Sequence, residues 1–193
     1  MLGTRVGSLE EIDADRIVVA VTPRESARLL GLSEPELEDS PIVSVHLLFD
    51  RQIMGPPLAA LLGSDAHWLF DRGALTGHQP ERGQYITVVS SGAPELLELR
   101  GRELIEWVAG QVTERLGAAE LLWSRVSREP AATFAARPGT ASLRPGAATN
   151  RPDVVRAGAW TDTGWPATME SAIRSGREAA RVLAASVREK VTA

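Results

Sequence analysis

Between Val154 and Ala172 the chain strings together a short apolar run, a glycine, two tryptophans, several hydroxyl side chains and a proline, and then a helical pattern. The run Val154–Gly158 reads as a strand that ends where the absence of a Cβ lets backbone atoms approach a ligand. Residues Trp160 to Trp165 supply hydroxyls, one carboxylate and two indoles. The helix that opens near Pro166 starts with N–H groups that have no intrahelical partner, and its dipole favours negative charge there. This order of elements builds a corner suited to a phosphate or to a flavin, whose reduced ring is negative around N1 and O2. A flat ligand would also suit the two indoles. The same pattern occurs in Gly-rich turns that bind nothing, so the local pattern alone leaves both readings open.

The elements that must position this corner are legible along the chain. Ile17–Val21 is a continuous apolar run, as in a strand buried on both faces. Thr22-Pro23 then signals a helix start, with Thr22 as N-cap, Ala27, Leu29 and Leu30 as its apolar content and Gly31 as its end. Ile42–Phe49, Ala66–Phe70 and Gln84–Val89 read as neighbouring strands with Gly- and Pro-containing links, which predicts an antiparallel sheet. Pro94–Gly117 reads as a helix whose stripe contains Leu97, Leu104, Trp107, Val108, Val112 and Leu116, with a kink or break at Gly101. Glu120–Val126 reads as a strand, and Ala131–Asn150 as a crossing loop. The last helix, from about Pro166 to Val187, is expected to bury Met169, Ala172, Ile173, Gly176, Ala179, Ala180, Leu183 and Val187, and to leave Arg188 off that face.

Composition narrows the function classes. The chain has 193 residues, no Cys and a formal net charge of −4. Disulfides, thiolate zinc sites and iron–sulfur ligation are therefore excluded within it. Mild acidity argues against a nucleic-acid partner, which requires a basic face. No apolar run approaches the ~20 residues of a membrane span, and the first residues lack the apolar core of a signal peptide. A cytoplasmic location is expected, with peripheral membrane contact left open. His46, His67 and His78 show no metal-ligand spacing and read as structural or solvent-facing. Trp107 and Trp123 fit core positions better than a ligand cage. Glu170 reads as a favourable charge in the first turn of the last helix.

Ala157-Gly158-Ala159-Trp160-Thr161-Asp162-Thr163-Gly164-Trp165-Pro166-Ala167-Thr168-Met169-Glu170-Ser171-Ala172 resembles the C-terminal flavin motif of the FAD-dependent amine oxidase and phytoene desaturase superfamily. Its Gly-Trp-Pro-Ala-Thr-Met-Glu core is most similar to squalene-associated desaturases, the hydroxysqualene dehydroxylases of hopanoid synthesis. Ile17–Val21 with Thr22-Pro23, and Glu129–Phe134 with Pro138-Gly139 and Arg144-Pro145, resemble supporting segments. The resemblance implies an α/β (α+β) fold: Rossmann-like FAD-domain elements plus an antiparallel substrate-domain sheet. It covers only the C-terminal part of the family pattern, without the N-terminal dinucleotide-binding βαβ. The expected segments are 1–40 (FAD domain), 41–128 (substrate side) and 129–193 (C-terminal FAD segment).

By the same resemblance the cofactor is FAD. Gly158 and Ala159 would meet the diphosphate and ribityl chain, Trp160, Thr161 and Asp162 would line the ribityl side, and Trp165, Pro166, Ala167, Thr168 and Met169 would lie beside the isoalloxazine. Two positions depart from the family pattern: Ala159 replaces an acidic residue, and Ser171 stands where Gly is common. The motif assigns no catalytic acid or base. The implied reaction is hydride transfer to flavin, acting on an isoprenoid hydrocarbon of hydroxysqualene or squalene type. The adenine half of FAD would need an upstream nucleotide-binding segment or a partner chain, so this chain alone is expected to bind FAD weakly or not at all. A flavin amine oxidase acting on a polar amine and a non-catalytic truncated remnant are the alternatives.

Overall fold

The computed structural model describes residues 3–192, with side chains described through Ala185; the expected positions of Val187 and Arg188 lie outside the described side chains. In chain order the elements are β1 (Ile17–Val19), α1 (Pro23–Leu30), β2 (Asp39–Phe49), β3 (Leu58–Ala60), β4 (Trp68–Asp71), α2 (Arg72–Thr76), β5 (Gln84–Ser91), α3 (Gly101–Leu116), β6 (Leu121–Phe134), β7 (Val154–Arg156) and α4 (Met169–Thr192). The chain divides into two compact units. One is discontinuous, built from residues 1–38 and 134–193; the other is Asp39–Thr133. The α/β class with a parallel element and an antiparallel sheet is as the sequence implies.

In the discontinuous unit β1 and β7 pair in parallel, Ile17 against Val154 and Val19 against Arg156. Their inward residues Ile17, Val19 and Val154 pack with Leu9 and Leu30, while Val155 and Ala157 pack with Ala147 and Ala179. Thr22 caps α1 by accepting from the Glu25 amide at 3.5 Å. Gly31 ends it in the left-handed region at φ 62°, the conformation that glycine adopts without steric cost.

In the continuous unit five strands run in the order β3-β4-β5-β2-β6. β2 and β5 are antiparallel, with Val45 opposite Val88 and Leu47 opposite Ile86. Alternate residues Val43, Val45, Leu47 and Phe49 turn to one face, where Leu104, Val108 and Val112 of α3 complete the core. Period-2 burial along β2 is the pattern of a sheet covered by a helix on one side. Gln84 fastens the edge of this core. Its amide oxygen accepts from the Ile53 and Met54 amides, and its nitrogen donates to Met54 O and to Asp71.

Several sequence expectations change. Pro94–Gly117 is not one helix. Pro94–Leu97 forms a short 3-10 turn, Arg100 is extended, and α3 begins at Gly101; the glycine marks a full break, and Glu103 restarts the helix by accepting from the Arg100 amide. The strand expected at Glu120–Val126 runs on to Phe134 and takes in the start of the expected crossing loop. It tolerates Pro130 because β6 is an edge strand, where a missing donor breaks no ladder bond. Trp123 is not in the core but half exposed on β6, because it lies on the sheet face opposite α3, against Tyr85. Trp107 is partly buried against the core. β3 and α2 were not anticipated, since each is too short to show a period.

Candidate functional site: the corner between β7 and α4

The chain leaves β7 through Gly158, loops through Trp160 and Trp165, and enters α4 at Met169. The helix starts three residues later than Pro166. Thr168 is the reason: its hydroxyl accepts from the Ser171 amide at 3.4 Å and its carbonyl takes the first helical bond, from Ala172 at 3.0 Å. The amides of Met169 and Glu170 therefore lie in the first turn, before any carbonyl is available to them.

Two serines fix how α4 faces the turn. Ser175 Oγ accepts from the Gly158 amide at 2.8 Å, and Ser171 Oγ donates to Ala159 O at 3.1 Å. Ser171, Ser175 and Ala179 are consequently the buried face, whereas Met169, Ala172, Ile173, Gly176 and Ala180 are exposed. This overturns the expected apolar stripe, although Ala179 and Leu183 remain on the packed side. The physical reason is that the Ser171 and Ser175 hydroxyls bond backbone groups of the turn, and those contacts set which side of α4 packs.

Gly158 has φ 154° and no room for a side chain: a Cβ there would come within 2.4 Å of Trp160 Nε1. The Trp160 indole fills that space and is only 7% exposed. Its Nε1–H donates to Val21 O at 3.0 Å, tying the turn to the end of the β1 segment. Thr161 is buried as well, its amide and hydroxyl both donating to Gly158 O.

A guanidinium organises the rest. Arg144 donates to Trp165 O at 2.7 Å, to Ala159 O at 2.9 Å and to Thr161 O at 2.5 Å, with a longer contact to Trp160 O. It also reaches the Thr163 and Ser171 hydroxyls, and its plane lies 5.4 Å from the Phe134 ring centre. Four carbonyls of one loop thus converge on one cation. A planar fork with five donors can do this where an ammonium cannot. Turning those carbonyls inward fixes the loop's opposite side as the one that faces solvent. On β7, burial pulls the Arg156 guanidinium below its usual value.

The sequence-derived site residues thus separate into two sets. Trp160 and Thr161 face inward and hold the turn. Trp165, Pro166, Thr168 and Met169 are exposed, with Ala167 half-buried and Gly158 and Ala159 in the turn itself. Met169 is 87% exposed and stands beside exposed Ile173 one turn on. Trp165 carries Arg174 4.3 Å over its ring, and Arg174 is paired with Glu170 at 2.8 Å. Met169 and Ile173 thus form an exposed apolar surface next to the first-turn amides of α4, with Trp165 at its edge under Arg174. Arg144, Ser171 and Ser175 are the organising residues that motif reading undervalued. The available signal for Arg144 was one Arg between turn-forming segments just before the motif. Among the described residues no group of His, Asp or Glu could hold a metal ion, and no helix is long and apolar enough to cross a membrane.

Comparison with known proteins places this corner in context. Residues 2–184 match the model of the flavin containing amine oxidoreductases. A hydroxysqualene dehydroxylase of Rhodopseudomonas palustris is 35% identical over 196 residues, covering 96% of this chain and 44% of its own length. One from Sinorhizobium fredii is 35% identical over 168 residues, 86% of this chain and 38% of its own. An oxidoreductase from Methanosarcina mazei of known structure superimposes with a TM-score of 0.60 at 15% identity, over 85% of this chain and 42% of that one; this likeness concerns the fold alone. The chain spans less than half the length of these relatives.

Proposed function

Because this chain belongs to the flavin containing amine oxidoreductase family, we propose that it supplies the flavin-ring side of an FAD-dependent oxidoreductase that acts on an isoprenoid of hydroxysqualene type. The observation that carries this is the corner itself: an apolar surface of Trp165, Met169 and Ile173 beside the open amides of α4, on a loop held by Arg144. A flat ring with electronegative atoms along one edge fits both halves of that surface. When bound, FAD supplies the hydride transfer.

This chain's own residues bind and orient. The Met169 and Glu170 amides would hold the ring's electronegative edge, and the outer side of the turn at Ala159 would face the ribityl and phosphate chain, since Trp160 fills the space beside Gly158. Ala159 would bring only its backbone N–H, since its side chain has no polar atom and its carbonyl is already committed to Arg144 and Ser171. A nucleotide-binding segment outside these residues meets the adenine half, in keeping with the chain spanning 44% of one relative. The substrate class is taken from the names of two relatives.

The test is isolation of the protein from its source cells, mapping of its full polypeptide and assay of released flavin. FAD in stoichiometric amount, with turnover of hydroxysqualene, is the expected result. A native species free of flavin refutes the reading. Flavin with turnover of a polar amine instead would replace the substrate class alone.

A further inference from the structure

The face of the five-stranded sheet turned away from α3 is aromatic and largely open. Trp68 and Trp123 are 47% and 48% exposed, Leu58 is also exposed, and Phe70 and Tyr85 are half-buried. Phe70 pairs with Leu58 on one side and with Thr87 on the other, so these side chains share a face. Near its middle is one polar group of three. His46 on β2 stands opposite Thr87 on β5; its Nδ1 is 3.0 Å from Thr87 Oγ1 and 3.2 Å from Tyr85 Oη. Tyr85 in turn meets Trp123 edge-on at 6.2 Å.

Nδ1 carries either one lone pair or one hydrogen, so in both neutral tautomers Thr87 and Tyr85 engage it and Nε2 is the ring nitrogen left to meet a ligand, as donor or acceptor. Burial first, then the Arg125 and Arg72 charges, hold the imidazole below its usual pKa and therefore neutral near pH 7. No described residue bonds Nε2. The ring is thus held in place with Nε2 unused, on a face of exposed tryptophan and leucine side chains with the Arg125 and Arg72 charges nearby. A surface of this kind matches a ligand with an extended apolar body and a single hydroxyl, because the apolar body covers the aromatics and the hydroxyl, donor and acceptor at once, satisfies Nε2 in either tautomer.

We propose that His46, fixed by Tyr85 and Thr87, is the specificity-determining residue that reads the hydroxyl group of an isoprenoid alcohol lying on this sheet face. The proposal rests on the isoprenoid class argued above but not on the flavin corner. A ring nitrogen aimed at a hydroxyl discriminates against the same molecule without it, since the nitrogen is then left buried and unpaired. His46 needs no charge for this role and transfers no proton.

The test uses the full chain without flavin. The probes are geraniol and the hydrocarbon that carries hydrogen in place of its hydroxyl, followed by tryptophan emission and by the imidazole NMR signals of His46. Geraniol is expected to bind at least ~10-fold tighter than its deoxy analogue and to shift the His46 Nε2 resonance. His46→Phe should bind both alike. Tyr85→Phe, which frees the ring without removing it, should retain hydrocarbon binding and lose part of the alcohol preference. Equal affinities in the unsubstituted chain, an unmoved His46 signal, or an undiminished preference in His46→Phe overturns the anchor. Binding of neither probe overturns it together with the isoprenoid class, while leaving FAD binding to be decided by its own assay.

Discussion

Replacing Arg144 by Ala should free the loop between β7 and α4 from the rest of its unit. The guanidinium makes three short bonds, to Trp165 O, Ala159 O and Thr161 O, and a longer one to Trp160 O. A hydrogen bond from a charged donor contributes about 1.5–3 kcal/mol. These bonds share one guanidinium, and the site is half exposed, so water recovers part of the loss and simple addition overstates it. A cost of about 3 kcal/mol for opening this loop is reasonable, within the range for loss of a buried polar network. At 1.4 kcal/mol per tenfold, that is roughly a 100-fold rise in the open population.

Hydrogen exchange read by mass spectrometry on peptides from 157–170 measures it directly. The Asp162 amide, bonded to Pro145 O at 2.9 Å, is a reporter within this segment, and peptides from β5 serve as the control that should not change. Arg144→Lys keeps the charge but reaches fewer carbonyls and should fall between. Exchange in 157–170 within about threefold of the unsubstituted chain, with β5 unaffected, would refute the assignment of Arg144 as the organiser.

Other substitutions probe neighbouring contacts. Trp160→Phe removes the indole donor to Val21 O and should cost about 1–2 kcal/mol in urea denaturation; Gly158→Ala, whose Cβ meets the same indole at 2.4 Å, should cost about 2–4 kcal/mol. Gly83→Ala should prevent the 39–133 unit from folding, as judged by NMR dispersion, because φ is +80° and the new Cβ would overlap Phe49 O. Asp50 is held below the ordinary 3.8 by hydrogen bonds from Arg51 and then from the Glu120 amide. Its contribution to stability is present above that pH and is lost as pH falls through the lower folded value, so Asp50→Asn should flatten the acid limb of the stability curve. The His46 imidazole should titrate by NMR below 6.5, as burial and then Arg125 and Arg72 dictate; stability then rises with pH between the folded value and 6.5.

The elements with strong local signals were legible in the residues. Thr22-Pro23 and Gly31 bracket α1, and the alternation from Val43 to Phe49 gives β2 its covered face. The corner was legible as an order of elements, because Gly158 and the Pro166–Met169 segment have local conformational meaning. Which side chains face outward was not, because that depends on partners far along the chain. Trp160 looks like a ligand-facing indole until Val21, 139 residues away, accepts its N–H. The rotation of α4 follows from Ser171 and Ser175 meeting a turn, a contact that a hydrophobic pattern cannot register. The His46 cluster likewise exists only through the β2–β5 register.

The discontinuity of the first unit bears on how the chain reaches its native state. Residues 39–133 form an insertion whose own first and last strands are neighbours in the sheet, β2 beside β6. Just outside them the Ala135 amide donates to Glu38 O at 2.8 Å, so the two ends of the insertion are held together. Once the insertion has folded, the pairing of β1 with β7 no longer requires closing a loop of well over a hundred flexible residues. Its entropic span shrinks to the short stretches that flank the insertion. The parallel pair, slow to form if its strands had to find each other from a random chain, inherits a template from the unit synthesised before β7 emerges, and the corner between β7 and α4 is then completed last.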